Sequence, residues 1–555
     1  MASKASAGIT KWQDIASEVQ KHRDATIAKV EPPIVEITEK LPRRVIPLPR
    51  KYLSPEEITI TETPIEELLP SLATGRLSSL AVTKAFLRRA AIAQKLVNCV
   101  YELLPERAIT RAKELDEHFA KHGPIGPLHG LPISVKSHIG MKDLDNACGF
   151  VGWVGQKNED DANILKILLA AGAVLYVRTN EPQALMMMET DNNIVGRTTN
   201  PHNTALSPGG SSGGESALIA LNGSLLGIGS DIGGSIRAPA VQCGLYGLRP
   251  TNFRLPLVGI KALSMGCDTI AGTIGPLCRS LEGIDLFMKV ALDSKPWTSD
   301  LSLHQKPWTT GQTSTNKLTI GVMWDDGIVK PSPPLTRALN EVVEKLKKVP
   351  GVEIIEWKPY EHDKANKILT KLYAPDGGKA FTDVLALSGE PGFPLVNNQL
   401  RDSPEVQNLT HKEVWDWSMQ RNTFQYLYLQ GKLQKWNTVA PEMDLILCPT
   451  GPHASPPHGA AKYIGYTAVW NLLDYPAIVF PVTKVNPDID VKDGNYKPRN
   501  DMDKWYHDNY NAEEQIDAPV GLQLVAKKLE DEKIVDVMRF IKEKIGVPFV
   551  DCFQD

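Results

Sequence analysis

Residues 207–238 constrain this chain more than any other stretch. They read Ser-Pro-Gly-Gly-Ser-Ser-Gly-Gly-Glu, a short apolar run, then Ser-Asp-Ile-Gly-Gly-Ser-Ile-Arg-Ala. Two serines, Ser211 and Ser235, sit in glycine-rich turns separated by a helix-like and a strand-like segment. Glycine lets the backbone adopt positive φ and approach a ligand closely, so successive N–H groups can converge on one small space. Ile232, Gly233, Gly234 and Ser235 are therefore candidates for an oxyanion hole, with the Ser235 hydroxyl beside it as nucleophile. A flexible linker has a similar composition. However, the first turn runs directly into Glu215-Ser-Ala-Leu-Ile-Ala-Leu, an apolar helix-like segment that a linker does not need. A phosphate cradle would call for a following Gly-Lys-Ser/Thr or a Gly-x-Gly-x-x-Gly, and neither is present here.

A serine hydroxyl is a weak nucleophile and needs a base within hydrogen-bond reach. No Gly-x-Ser-x-Gly elbow surrounds Ser235, and none of the twelve histidines has a setting that singles it out. Lys136 stands out instead, in Gly130-Leu-Pro-Ile-Ser-Val-Lys, where Ile133 and Val135 alternate as in a half-buried strand. Burial disfavours the ammonium form, so such a lysine can become a neutral amine that accepts a proton. The plain alternative is a lysine that snorkels to the surface.

Together, Gly130-Leu-Pro-Ile-Ser-Val-Lys136, Gly-Gly-Ser211-Ser-Gly-Gly and Asp-Ile-Gly-Gly-Ser235-Ile-Arg resemble the amidase signature family of serine hydrolases. The likeness extends through Thr179-Asn-Glu-Pro-Gln and Pro519-Val-Gly-Leu-Gln-Leu-Val, and so spans most of residues 70–547. It implies a Ser-cisSer-Lys triad of Ser235 as nucleophile, Ser211 as relay and Lys136 as general base, with no cofactor. It also implies that Leu185, in Leu-Met-Met-Met, borders the substrate and offers its backbone carbonyl to the substrate amide. Asp231 and Arg237, which flank the nucleophile, are read as a brace for the turn. Among family members the chain looks most like the fungal acetamidases. That implies small aliphatic or aryl amides as substrates, with carbamates as a second class. It lacks the N-terminal membrane helix of the lipid-amide hydrolases, which argues against long lipid amides. An amidotransferase subunit that generates ammonia for a partner enzyme is the alternative from another class.

Composition sets the wider bounds. A chain of 555 residues with 42% apolar and 23% charged residues is of ordinary globular type. Its net charge of −4 gives no nucleic-acid footprint. The seven scattered cysteines, without Cys-x-x-Cys pairs, read as reduced thiols. No stretch reaches the roughly eighteen apolar residues of a membrane span. A soluble cytoplasmic enzyme is expected, without nucleic acid or metal and with a homodimer left open. His453 and His458 lie in a proline-rich turn with no carboxylate or cysteine ligand set nearby.

Alternating helix-like and strand-like segments predict an α/β fold, with a mixed, largely parallel twisted sheet covered by helices on both sides. Strands are expected over residues 130–136, 173–177, 225–229, 318–323, 444–449 and 477–482. Residues 1–69 read as an N-terminal helical arm and connector, 70–555 as the catalytic domain, and 486–518 as a surface insertion or lid. Ser54 and Thr63 look like helix caps. The Arg and Lys of residues 78–93 and 105–119 read as solvated helix faces. Trp415, Trp417, Phe424, Tyr426 and Tyr428 read as core packing, and the family resemblance offers acyl-pocket lining as the alternative.

Overall fold

The computed structural model describes residues 11–430 and 443–554. Eleven strands form one sheet: β1 (Val100–Leu103), β2 (Pro132–Lys136), β3 (Val174–Thr179), β4 (Leu226–Asp231), β5 (Tyr246–Arg249), β6 (Thr273–Cys278), β7 (Leu318–Val322), β8 (Val352–Glu356), β9 (Leu445–Pro449), β10 (Ala477–Lys484) and β11 (Pro519–Val525). Their order is β1-β3-β2-β4-β6-β5-β10-β11-β9-β7-β8. Helices cover both faces, as an α/β architecture requires once a sheet carries apolar side chains on both sides. β2, β3, β9 and β11 are buried along their whole length, and Ile133, Val135, Val174, Leu447 and Leu522 belong to the main core.

The expected α/β class and the mixed sheet are present, but parallel pairing is confined to two flanks. β3, β2 and β4 run parallel, as do β9, β7 and β8, while every pair from β4 across to β9 is antiparallel. Apolar runs buried on both faces cannot report strand direction. Direction follows from the connections, which return β5, β6, β10 and β11 as antiparallel neighbours.

Local signals are an uneven guide to the helices. Ser54 caps the helix Pro55–Glu62 in a full capping box with Glu57. Thr63 does not start the next helix, because Pro64 occupies the N-cap of Ile65–Ala73; it is instead the C-cap of Pro55–Glu62. The basic face of the helix Ser79–Val97 is solvated only in part: Lys84 and Lys95 are exposed, but Arg88 and Arg89 are buried. Arg89 donates to the Leu221 carbonyl at 2.6 Å and the Thr61 hydroxyl at 2.7 Å, and pairs with Glu62 at 3.0 Å. Arg88 pairs with Glu57 at 2.6 Å. The preceding segment wraps over this helix and supplies the acids, which a pattern read along one helix cannot foresee.

Residues 486–518 include the helix Asp501–Asp508, anchored through buried Asp490, Asp503 and Tyr506. Arg337 grips Asp490 at 2.7 and 2.9 Å. None of these residues lines the cavities beside Ser235. Phe424 and Tyr428 pack in an aromatic core with Trp357, Tyr360 and Trp470, while Trp415 and Tyr426 face solvent. The core role therefore holds for Phe424 and Tyr428 but not for Trp415 and Tyr426, and none of the five lines the cavities beside Ser235.

Candidate active site

The two glycine-rich turns meet beside β2 and β4. Lys136 is the last residue of β2 and is wholly buried. Its ammonium group lies 2.5 Å from the Ser211 hydroxyl and 3.0 Å from that of Ser230, donating to both. Ser211 follows a cis peptide from Gly210 and precedes the helix Gly213–Ala220. Ser235 lies beyond the end of β4, and its carbonyl accepts the Ser212 N–H at 3.1 Å, which ties the turns together. Ser211, Ser230, Ser235 and Leu185 border one cavity. Burial pushes the Lys136 amine down to about 8, against the opposing pull of the Glu181 and Asp231 carboxylates.

The backbone of residues 232–235 is fixed from its carbonyl side. The Ile232 carbonyl accepts the Tyr373 hydroxyl at 2.8 Å, and the Gly233 carbonyl accepts the Thr467 hydroxyl at 2.7 Å. The Gly234 carbonyl accepts the Ala238 N–H at 2.8 Å. With every carbonyl engaged, the N–H groups of Ile232, Gly233 and Ser235 carry no hydrogen bond among the described residues. Gly234 differs from the expectation that it donates into the hole: its N–H is taken by Asp231 Oδ1 at 2.8 Å. What this position requires is a glycine conformation, with φ at +126°. A Cβ there would come within 2.6 Å of the Thr467 Cβ and 2.8 Å of the Met188 methyl group.

Asp231 and Arg237 form the brace. Arg237 Nε and Nη2 each lie 3.0 Å from an Asp231 oxygen, and both residues are buried. Arg237 also donates to Asn471 at 2.7 Å and to the Thr467 carbonyl at 3.0 Å. Burial works to raise the Asp231 carboxyl, yet the guanidinium holds it well below its usual range. The charge is thus spent on fixing the turn.

The cavity beside Ser235 measures about 210 Å³, and its walls include Leu185, Met186, Phe253, Leu257, Ile270 and Tyr373. A smaller cavity of about 40 Å³ reaches Ser235 and Gly233 from another side, past Met188, Asn398 and Lys462. Leu185 borders both and has φ +61°, a left-handed conformation uncommon outside glycine. Sequence reasoning missed Ser230, Tyr373 and Thr467. Ser230 carried a usable signal, since β4 continues past the expected residue 229 and brings this hydroxyl to Lys136. Tyr373 and Thr467 carried none, because their role depends on distant segments docking against the turn.

Known proteins resemble this chain along most of its length. The family described as Amidase matches residues 81–535. The chain belongs to the amidase family. A Schizosaccharomyces pombe relative carrying an amidase name is 42% identical over 94% of this chain and 97% of its own. The acetamidase of Emericella nidulans is 37% identical over 96% of this chain and 98% of its own. Among solved structures, a fatty acid amide hydrolase superposes with a TM-score of 0.91 at 34% identity, covering 97% of this chain and 96% of that one. This amidase is accordingly an amide-hydrolysing enzyme with the mixed α/β architecture of its relatives. No helix among its described residues is long and apolar enough to cross a membrane.

Proposed function

We propose that the enzyme cleaves a carboxylic amide to acid and amine or ammonia through an acyl-enzyme on Ser235, with Ser211 as relay and Lys136 as base. The observation that carries this reading is the buried lysine amine 2.5 Å from the Ser211 hydroxyl, in the cavity that Ser235 shares. In its neutral form Lys136 accepts the Ser211 proton as Ser211 takes that of Ser235, and Ser235 Oγ bonds to the carbonyl carbon. The N–H groups of Ile232, Gly233 and Ser235 hold the oxyanion. The proton then returns from Lys136 through Ser211 to the nitrogen, the C–N bond breaks, and water releases the acid by the same relay in reverse. The Leu185 carbonyl is available to the substrate amide N–H.

The apolar walls suit an uncharged aliphatic or aryl acyl group, and the acetamidase likeness supports small amides, with carbamates as a second class. The test is a fluorophosphonate probe together with a panel of amides, carbamates and esters. The probe should label Ser235, and Ser235→Ala should lose both labelling and turnover. Because the base must be unprotonated, kcat/KM should rise with pH through about 8, the value to which burial brings Lys136. Labelling at another serine with turnover intact would overturn the reading. Glutaminase activity that depends on a partner protein would replace it with an amidotransferase role.

A further inference from the structure

Ala184 and Leu185 are successive non-glycine residues with left-handed backbones, at φ +60° and +61°. An L-residue holds that conformation only where its surroundings enforce it. Leu185 borders both cavities beside Ser235, and its carbonyl carries no hydrogen bond among the described residues. What enforces its conformation lies outside both cavities.

The strained pair is tied to a second segment, residues 148–152. The Ala184 N–H donates to the Cys148 carbonyl at 3.0 Å, and the Leu185 N–H to the Pro182 carbonyl at 3.1 Å. Gly149 packs so closely on Gln183 that a Cβ there would come within 2.7 Å of the Gln183 Cα. Glu390, only 4% exposed, joins the two segments from a distant part of the chain. Its Oε1 accepts the Val151 N–H at 2.6 Å, the Gly152 N–H at 3.4 Å and the Ser388 hydroxyl at 3.3 Å. Its Oε2 accepts the side-chain amides of Gln183 and Asn193, each at 3.0 Å. Gln183 is wholly buried; its amide also donates to the Pro391 carbonyl at 3.1 Å, and its oxygen accepts the Phe393 N–H at 3.0 Å. One carboxylate therefore fixes both sides of the contact between Cys148 and Ala184. All five groups that meet it donate, an arrangement that only acceptors at both oxygens satisfy. Burial raises the carboxyl, and the four N–H donors pull it back.

We propose that Glu390 is a positioning residue for amide recognition: through Gln183 and residues 148–152 it holds Ala184 and Leu185 left-handed, which keeps the Leu185 carbonyl free to accept the N–H of the scissile amide. This rests on the reading of the Leu185 carbonyl as the partner of the substrate amide. Glu390 lines neither cavity beside Ser235, so it acts on the substrate only through Leu185. The selection it supports is chemical. A primary or secondary amide donates an N–H to that carbonyl, whereas an ester or an N,N-disubstituted amide has none to give and leaves the acceptor unpaired.

The experiment compares wild type and Glu390→Gln by kcat/KM for a secondary amide, its N-methyl counterpart and the ester of the same acyl group, and by the rate of Ser235 labelling with a fluorophosphonate. Glutamine keeps the shape of the side chain but turns an NH₂ group toward donors, so the clamp loosens. Secondary-amide kcat/KM should fall roughly tenfold, the scale of one hydrogen bond at a buried site. The ester, the N-methyl amide and the labelling rate, none of which uses a substrate N–H, should stay within about twofold of wild type. A merely structural role would slow all four alike; that result, or an unchanged secondary-amide rate in the folded variant, overturns the proposal. Should Glu390→Gln not fold, Glu390→Asp keeps the charge but is one methylene too short to span both segments, and the same amide-selective loss is required of it. Wild type alone tests the underlying reading: if it cleaves the N-methyl amide as fast as the secondary amide, the Leu185 carbonyl is not the acceptor, whatever Glu390 does.

Discussion

Gly233 and Gly234 are adjacent and identical in the sequence, yet they do different work. Gly233 offers a free N–H, and a Cβ there would meet only the Tyr373 hydroxyl at 3.0 Å before any closer obstacle. Gly234 has a left-handed φ, and its Cβ would press against Thr467 and Met188. Gly233→Ala should therefore keep most of the turnover. Gly234→Ala should lose on the order of 10²–10³ in kcat, because relief of the clash displaces Ser235 and its N–H, and one lost oxyanion donor has that weight. Steady-state kinetics on the two folded variants checks this; equal losses would show that the left-handed conformation of Gly234 carries no special weight.

Among the elements, the helix Ser79–Val97 carries two of its four cations, Arg88 and Arg89, into the protein. Arg89 is held by a carbonyl, a hydroxyl and Glu62, so Arg89→Ala leaves buried acceptors unpaired and should cost about 3 kcal/mol. Lys84, exposed on the same helix, should change stability by less than about 0.5 kcal/mol when replaced by alanine. Thermal unfolding of the two variants distinguishes the cases. Equal midpoints would mean that the arginine face is as solvated as the sequence pattern suggests.

Across the molecule, the turn that carries Ser235 is fastened to the late part of the chain. Arg237 joins Asp231 to Asn471, Thr467 and Gln523, residues from the helix Gly465–Leu473 and from β11. Arg237→Ala strands a buried carboxylate and should cost about 3–5 kcal/mol. It should also slow Ser235 labelling, because the turn loses its brace. Arg237→Lys should recover only part of both, since a point charge cannot match the two-pronged contact. Unchanged midpoint and labelling in Arg237→Ala would show that the brace is dispensable.

Features that depend on chemistry within a few residues were legible along the chain. Glycine spacing around Ser211 and Ser235, the apolar strand ending at Lys136, and the alternation of helices and strands all report local backbone conformation. They pointed to three side chains that the fold gathers at one site. Whatever required two distant segments to meet was settled by packing instead. The direction of the central strands, the burial of Arg88 and Arg89, the capture of the Gly234 N–H by Asp231, and the anchoring of the turn by Tyr373 and Thr467 fall in this group. Burial and hydrogen-bond partners are properties of the packed chain: a residue's own neighbours in sequence fix its conformation, while the atoms that satisfy or desolvate it arrive from elsewhere.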